Sequence, residues 1–434
     1  MFAKGAGILL LLLFAATAGA TPDIQHWQTE KGAGVYFVEA HELPMVDIQV
    51  IFDAGSSRDD SKPGLALLTN VLLAEGAVGL TADEISQNFE NLGAVYGQHA
   101  DNDSASVRLR SMSDPGKLDP ALKNFKRVLI SPDFPQDAFE RERNRTLIAI
   151  SQKQQSPGDL AKDAFYAAVF NTHPYAVPSE GTEESLPQIS TSDVAAFHKK
   201  YYVAGNAVIA IVGDLDRARA EQLVNDLTEE MARGEKAAPI PEVSALTAAK
   251  TITIDHPSTQ THILVGQPGI KRGDPDYFPL YVGNHVLGGS GMVSQLFEEI
   301  REKRGLSYSV YSYFSPMRQP GPFFAGLQTR TDQAKEALQL LQKQLHTFVQ
   351  NGPTQAELDA AKKNITGGFP LRIDSNSDIV GYLGLIGFYG LPLDYLDTFN
   401  EKVESVTVEQ IKDAFKRRVS PDKLVVVMVG PKTE

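Results

Sequence analysis

Residues 63–76 read PGLALLTNVLLAEG. The stretch opens on a Pro-Gly turn signal, runs as an almost unbroken apolar segment and stops at Gly76. Leu65, Leu68 and Leu72 mark one helical face, while Leu67, Val71 and Leu73 fill the other sides. Thr69 and Asn70 are its only polar residues before Glu75. A helix that is apolar nearly all round belongs in the middle of a large domain. Taken alone, this is a core helix with no chemistry of its own.

Working outward, two strand-like runs precede it, Val35–Glu39 (VYFVE) and Met45–Phe52 (MVDIQVIF), with Pro44 ending the turn between them. Downstream, Thr81 and Glu84 form a capping-box pattern at the start of a helix. Ser104–Ser111 (SASVRLRS) alternates as a strand does. Helices are expected over 120–129, 135–155, 160–169 and 191–202, then a buried strand at Ala207–Gly213 (AVIAIVG).

The second half repeats this order. Thr261–Gly266 stands for the Ile48–Phe52 strand and Asp276–Leu287 for the apolar helix. Helix follows at 293–303, an alternating strand at Leu306–Phe314 (LSYSVYSYF), a further strand at 323–329 and helices at 334–350 and 355–367. The end, Ile411–Gly430, matches Phe197–Gly213 in order and spacing. A period near two hundred residues means a duplicated domain. Each unit mixes helices with hairpin-like strand pairs, so the expected class is α+β: two homologous domains of mixed, largely antiparallel sheet packed by helices.

The chain has 434 residues, 42% hydrophobic and 22% charged, enough to bury a sizeable core. A formal net charge of −13 without a basic run argues against nucleic acid or an anionic membrane surface as partner. Met1–Ala20 has the positive start, the apolar centre and the small-x-small end (Ala18, Ala20) of a secretory signal peptide cleaved after Ala20. No cysteine is present, which excludes disulfides and thiolate metal sites. The expected location is periplasmic. The expected division is a signal peptide at 1–20, an N-terminal domain at 21–231, a linker at 232–249 rich in Pro, Ala and charge, and a C-terminal domain at 250–434.

Signals for chemistry are sparse. No two of the nine histidines lie three or four residues apart, so none forms the helical ligand pair of a zinc site. Gly288-Gly289-Ser290-Gly291-Met292 lacks the Gly-Lys-Ser/Thr of a phosphate loop and the final glycine of a nucleophile elbow. Arg301 lies in the charge run EEIREKR, ordinarily a solvated helix face, with Gly305 placed to cap that helix. Tyr308 is expected to share a strand face with Val310 and Phe314, its ring packed and its hydroxyl free to reach a cleft.

The order of these pieces resembles the pitrilysin/insulinase-like zinc peptidases, the inverzincins, in their short two-domain bacterial form. The marks are Asp53-Ala54-Gly55-Ser56-Ser57-Arg58, Pro63-Gly64-Leu65-Ala66, Phe139-Glu140-Arg141-Glu142, His173-Pro174-Tyr175 with Gly181, Tyr201-Tyr202 through Asn206 to Gly213-Asp214, and Leu296–Tyr308 (LFEEIREKRGLSY). The resemblance spans essentially the whole chain after residue 20. In active members the segment after Pro-Gly-Leu-Ala carries H-x-x-E-H, two zinc-binding histidines and a glutamate base. Here Leu67 and Val71 stand at the histidine positions and Asn70 at that of the glutamate. The family's third ligand, a later glutamate, falls by counting near Ile148, where RTLIAIS holds no carboxylate. A carboxamide cannot act as a general base near neutral pH.

Family members also carry an Arg and a Tyr seven residues apart in the second domain. Arg301 and Tyr308 match that spacing, and the resemblance implies that they hold the substrate backbone and stabilise an oxyanion. Some members divide the work between a zinc-bearing chain and a chain that keeps the Arg/Tyr pair. The resemblance therefore implies a non-catalytic, substrate-binding subunit that carries no cofactor. Its expected partner is a homologous peptidase subunit supplying the zinc, and its ligand a peptide. The alternative is a stand-alone peptide-binding or scaffold protein without a proteolytic role.

Overall fold

The computed structural model describes residues 21–432. The signal-peptide assignment at 1–20 lies outside these residues. The first half contributes strands β1 (Gln25–Gln28), β2 (Gly34–Glu39), β3 (Met45–Phe52), β4 (Gly76–Ala77), β5 (Leu80–Thr81), β6 (Val95–Ala100), β7 (Ala105–Met112) and β8 (Ala207–Gly213). The second half contributes β9 (Lys250–Asp255), β10 (Gln260–Pro268), β11 (Val310–Phe314), β12 (Pro322–Arg330) and β13 (Val425–Gly430). The class is α+β, as expected.

The duplication is visible in the sheets. The first runs β1-β2-β8-β3-β7-β6 and the second β9-β13-β10-β12-β11. Setting β1 aside, each begins with a parallel pair, β2 with β8 and β9 with β13. Three further antiparallel pairings follow in each, ending on edge strands β6 and β11. Strands such as β8 read as continuous apolar runs because both faces of the sheet are covered.

One face of each sheet packs on helices of its own half. Helices Leu65–Val71, Pro115–Ile130 and Thr191–Tyr201 contribute to the first core. Helices Tyr277–Asn284, Ala334–Asn351 and Val408–Arg418 contribute to the second. The opposite faces are covered by exchange. Helix Pro157–Phe170 lies on β10 and β13, with Phe165 and Val169 in one apolar cluster with Leu264, Val425 and Val427. Helix Asn376–Tyr389 lies on β2, β3 and β8, its Val380 and Leu383 against Val38, Ala210 and Val212. Residues 232–249 form neither helix nor strand, and Ile240 joins the cluster of Phe165.

Several elements differ from their expected bounds. The apolar stretch becomes a short α-helix, Leu65–Val71, followed by a 3-10 turn, Leu72–Ala74. Its second-half counterpart is α-helical over Tyr277–Asn284 and widens to π geometry at His285–Gly289. The expected strand at Leu306–Phe314 begins only at Val310. Strands β1, β6 and β9 and helices Arg217–Thr228 and Asn376–Tyr389 add to the expected elements. Among the described residues, no helix is long and apolar enough to cross a membrane.

Candidate functional site

The helix Leu65–Val71 starts without a side-chain cap of the ordinary kind. The buried Asp59 carboxylate does this work from outside, accepting the Gly64 N–H at 2.8 Å and the Ala66 N–H at 2.7 Å. Leu67 and Val71, one turn apart, are half-buried on the same side. Asn70 turns the other way and is 1% exposed; its Nδ2 donates to Ser106 O at 3.3 Å and to Tyr202 Oη at 3.4 Å. Helix Gln136–Lys153 packs on this helix, and Ile148 on it is 60% exposed.

Carboxylates do lie close, but arginines occupy them. Glu75 pairs with Arg141, and the buried Glu142 has Arg141 Nε at 3.4 Å and Arg145 Nη1 at 3.7 Å. Among the described residues, no group of three or more His, Cys, Asp or Glu side chains could hold a metal ion. Apolar Leu67 and Val71 have no lone pair to offer, and the Asn70 amide is committed to buried neighbours. The zinc of the family's active members does not fit these residues.

In the second half the charge run at 298–304 folds as a π-helical turn, Phe297–Glu302. Its charges largely satisfy one another: Lys303 pairs with Glu298 at 2.9 Å and Glu299 at 2.6 Å, and Arg304 with Glu299 at 2.7 Å. Arg301 is left out of this set and forms no ion pair among the described residues. Its guanidinium carbon sits 4.6 Å from the Phe297 ring centroid and 4.4 Å from that of Tyr308. The structure thus brings Arg301 and Tyr308 into contact.

One expectation about this pair is corrected. Tyr308 is not packed on a strand face; it lies in the loop ahead of β11 and is 75% exposed. Its neighbours explain this. Gly305, at φ +62°, ends the helix and donates to Arg301 O, while Leu306 N–H reaches Ile300 O. Ser307 Oγ is shared between Ser309 O at 2.6 Å and Gln328 O at 2.7 Å, and Thr329 Oγ1 donates to Leu306 O at 2.5 Å. With the residues before and after it tied to the sheet, Tyr308 projects outward.

A polar junction between the halves was not anticipated. Asp103, 2% exposed, accepts Tyr175 Oη at 2.5 Å, the Arg318 N–H at 2.7 Å and Tyr389 Oη at 3.0 Å. Burial raises its pKa against the pull of these donors. Beside it, Asp53 takes Arg58 Nη2 at 2.6 Å and Arg318 Nε at 3.4 Å. His173 Nδ1 accepts the Tyr175 N–H at 3.1 Å, and its Nε2 lies 3.0 Å from Pro241 O. The sequence marks Asp53–Arg58 and His173–Tyr175 therefore serve the junction between halves.

Residues 35–183 match the family description "Insulinase (Peptidase family M16)", and residues 188–365 match "Peptidase M16 inactive domain". The chain belongs to peptidase family M16. It is 30% identical to the non-peptidase homologue YmxG of Helicobacter pylori over 92% of each chain. It is 22% identical to an uncharacterized zinc protease, YmxG of Bacillus subtilis, over 94% of this chain and 98% of that one. A crystal structure described as the peptidase M16 inactive domain from Pseudomonas fluorescens superposes with a TM-score of 0.92 at 45% identity, covering 94% of this chain and 98% of the other. Together these likenesses support a non-catalytic M16 member with the two-domain M16 fold.

Proposed function

We propose that this M16 chain is the non-catalytic, substrate-binding subunit of a heterodimeric zinc metallopeptidase acting on peptides in the periplasm. Its homologous partner supplies the zinc, and Arg301 and Tyr308 of this chain complete the partner's active site. The observation that carries this reading is a contrast. By the resemblance, the positions of the family's metal ligands and base hold Leu67, Val71, Ile148 and Asn70, while Arg301 makes no ion pair among the described residues and lies 4.4 Å from the exposed Tyr308 ring. A guanidinium and a phenol, both donors, suit negative charge developing on a carbonyl oxygen.

The test is reconstitution with the homologous zinc-bearing chain. Arg301→Ala and Tyr308→Phe are each expected to lower kcat by about 10²–10³ if they act as oxyanion donors, with a smaller change in KM. Peptidase activity unchanged in both variants would end the proposal. Recovery of this chain from its native source without a zinc-bearing partner would favour a stand-alone peptide-binding protein.

A further inference from the structure

Helix Tyr277–Asn284 packs on edge strand β11 as Leu65–Val71 packs on edge strand β6. It is the second half's counterpart of the degenerate helix, and a cavity of about 520 Å³ opens beside it. That volume suits one or two amino-acid residues and is far too small for a folded partner.

The cavity has a defined floor. Tyr277 and Tyr281, one helical turn apart, stack with ring centroids 5.7 Å apart and planes at 7°. Two arginines lie beside this pair. Arg272 places its guanidinium carbon between two rings, 5.4 Å from the Tyr389 centroid and 6.0 Å from that of Tyr277, and Arg372 Nη1 donates to Tyr281 Oη at 2.8 Å. Both arginines line the cavity, and no Asp or Glu does. Neither has an acidic partner among the described residues, and Arg272 Nε is buried without a hydrogen bond.

Two neighbouring acids are held elsewhere, Asp276 by Arg417 and Arg418 and Asp274 by Arg418. Asp374 pairs with neither arginine among the described residues. His285 adds no competing charge, because burial and the nearby Arg372 keep its pKa below the ordinary value. In a chain of net charge −13, two guanidinium groups facing an acid-free, aromatic-floored cavity are matched by an external anion with an apolar body.

We propose that this cavity binds the C-terminal carboxylate of a peptide whose last side chain is aromatic or aliphatic. Arg272 and Arg372 hold the carboxylate, and the Tyr277–Tyr281 pair carries the side chain. Naming a peptide rests on the proposed function, but the site belongs to this chain alone and is tested without a partner.

The experiment is calorimetric titration of the purified chain with N-acetyl-Leu-Phe as the free acid, with its C-terminal amide, and with inorganic phosphate. The acid is expected to bind, the amide at least about tenfold more weakly, and phosphate not to displace the acid at equal concentration. Arg372 is exposed, so Arg372→Gln should fold normally by circular dichroism, weaken the acid about tenfold and leave the amide unchanged. Equal binding of acid and amide, binding of phosphate but not of the acid, or unchanged affinity in both Arg272→Gln and Arg372→Gln would overturn the proposal. Such a failure beside a successful reconstitution would leave the subunit reading standing; the reverse result would leave this site standing without it.

Discussion

Asn70 shows what replaces chemistry at the degenerate site. The resemblance puts a glutamate base at this position in active members. The amide instead turns into the core and joins the helix to β7 through Ser106 O and to Tyr202. Its role is structural, and Asn70→Ala should cost about 1–3 kcal/mol through loss of its two buried hydrogen bonds, read as a lower urea midpoint. The identities at 67, 70, 71 and 148 were legible in the sequence because they are a matter of which atoms are present. The surroundings of Tyr308 were not. Its alternation with Val310 suggested a packed strand residue, yet hydrogen bonds of Ser307 and Thr329 end the strand early. Two of those bonds, Ser307 to Gln328 and Thr329 to Leu306, join residues more than twenty positions apart, beyond what local periodicity records.

Among the elements, the short helix Leu65–Val71 depends on Asp59. Burial is the largest cause of the rise in its pKa from the ordinary 3.8 to about 7, against the lowering pull of the Ala66 and Gly64 N–H groups. The sign of the linkage follows. The folded state binds this proton more tightly than the unfolded state, so Asp59's contribution to stability is full below about pH 4 and is lost as pH rises to about 7. Asp59→Asn should flatten stability against pH in that window, with a slope change of up to about 1.4 kcal/mol per pH unit. Urea unfolding at half-unit steps from pH 4 to 8 measures it, and an unchanged slope would refute it.

Helix Asn376–Tyr389 (NSDIVGYLGLIGFY) was not recognised from sequence because its glycines read as breakers and its apolar residues circle the helix. The structure gives those glycines a use. A Cβ at Gly384 would come within 2.5 Å of Ile51 Cδ1, and one at Gly387 within 2.5 Å of Tyr36 and Val208 side-chain atoms. Bare backbone lets this helix lie against the first sheet. A propensity scale counts the cost of such glycines, and only the packed partner reveals the gain.

Across the whole molecule, two exchanged helices and the Asp103 junction bind the halves. Tyr175 comes from the first half and Arg318 and Tyr389 from the second, so Asp103→Ala would strand buried donors on both sides. The expected loss is about 3–5 kcal/mol, the scale for removing one partner of a buried charged network. Unfolding should become biphasic as the halves uncouple, with cleavage at 232–249 by a limiting protease preceding loss of helical signal. A single transition at the original midpoint would show that the apolar exchange suffices.

By itself, the sequence determined the α+β class, the duplication, the order of most strands and the absence of metal donors at 67, 71 and 148. These follow from periodicity and from side-chain chemistry, which are local. The tertiary structure decided the rest. It placed Arg301 on the exposed Tyr308 ring, turned Asn70 inward, and set Arg272 and Arg372 beside the Tyr277–Tyr281 stack. It also laid each half's helix on the other's sheet. These facts depend on contacts between residues far apart in the chain, and the apolar helix at 63–76 is the measure of the difference. Its sequence shows that Leu67 and Val71 bring no metal donors, whereas which of its residues face the core and which stay half-buried is set by the helices and strands around it.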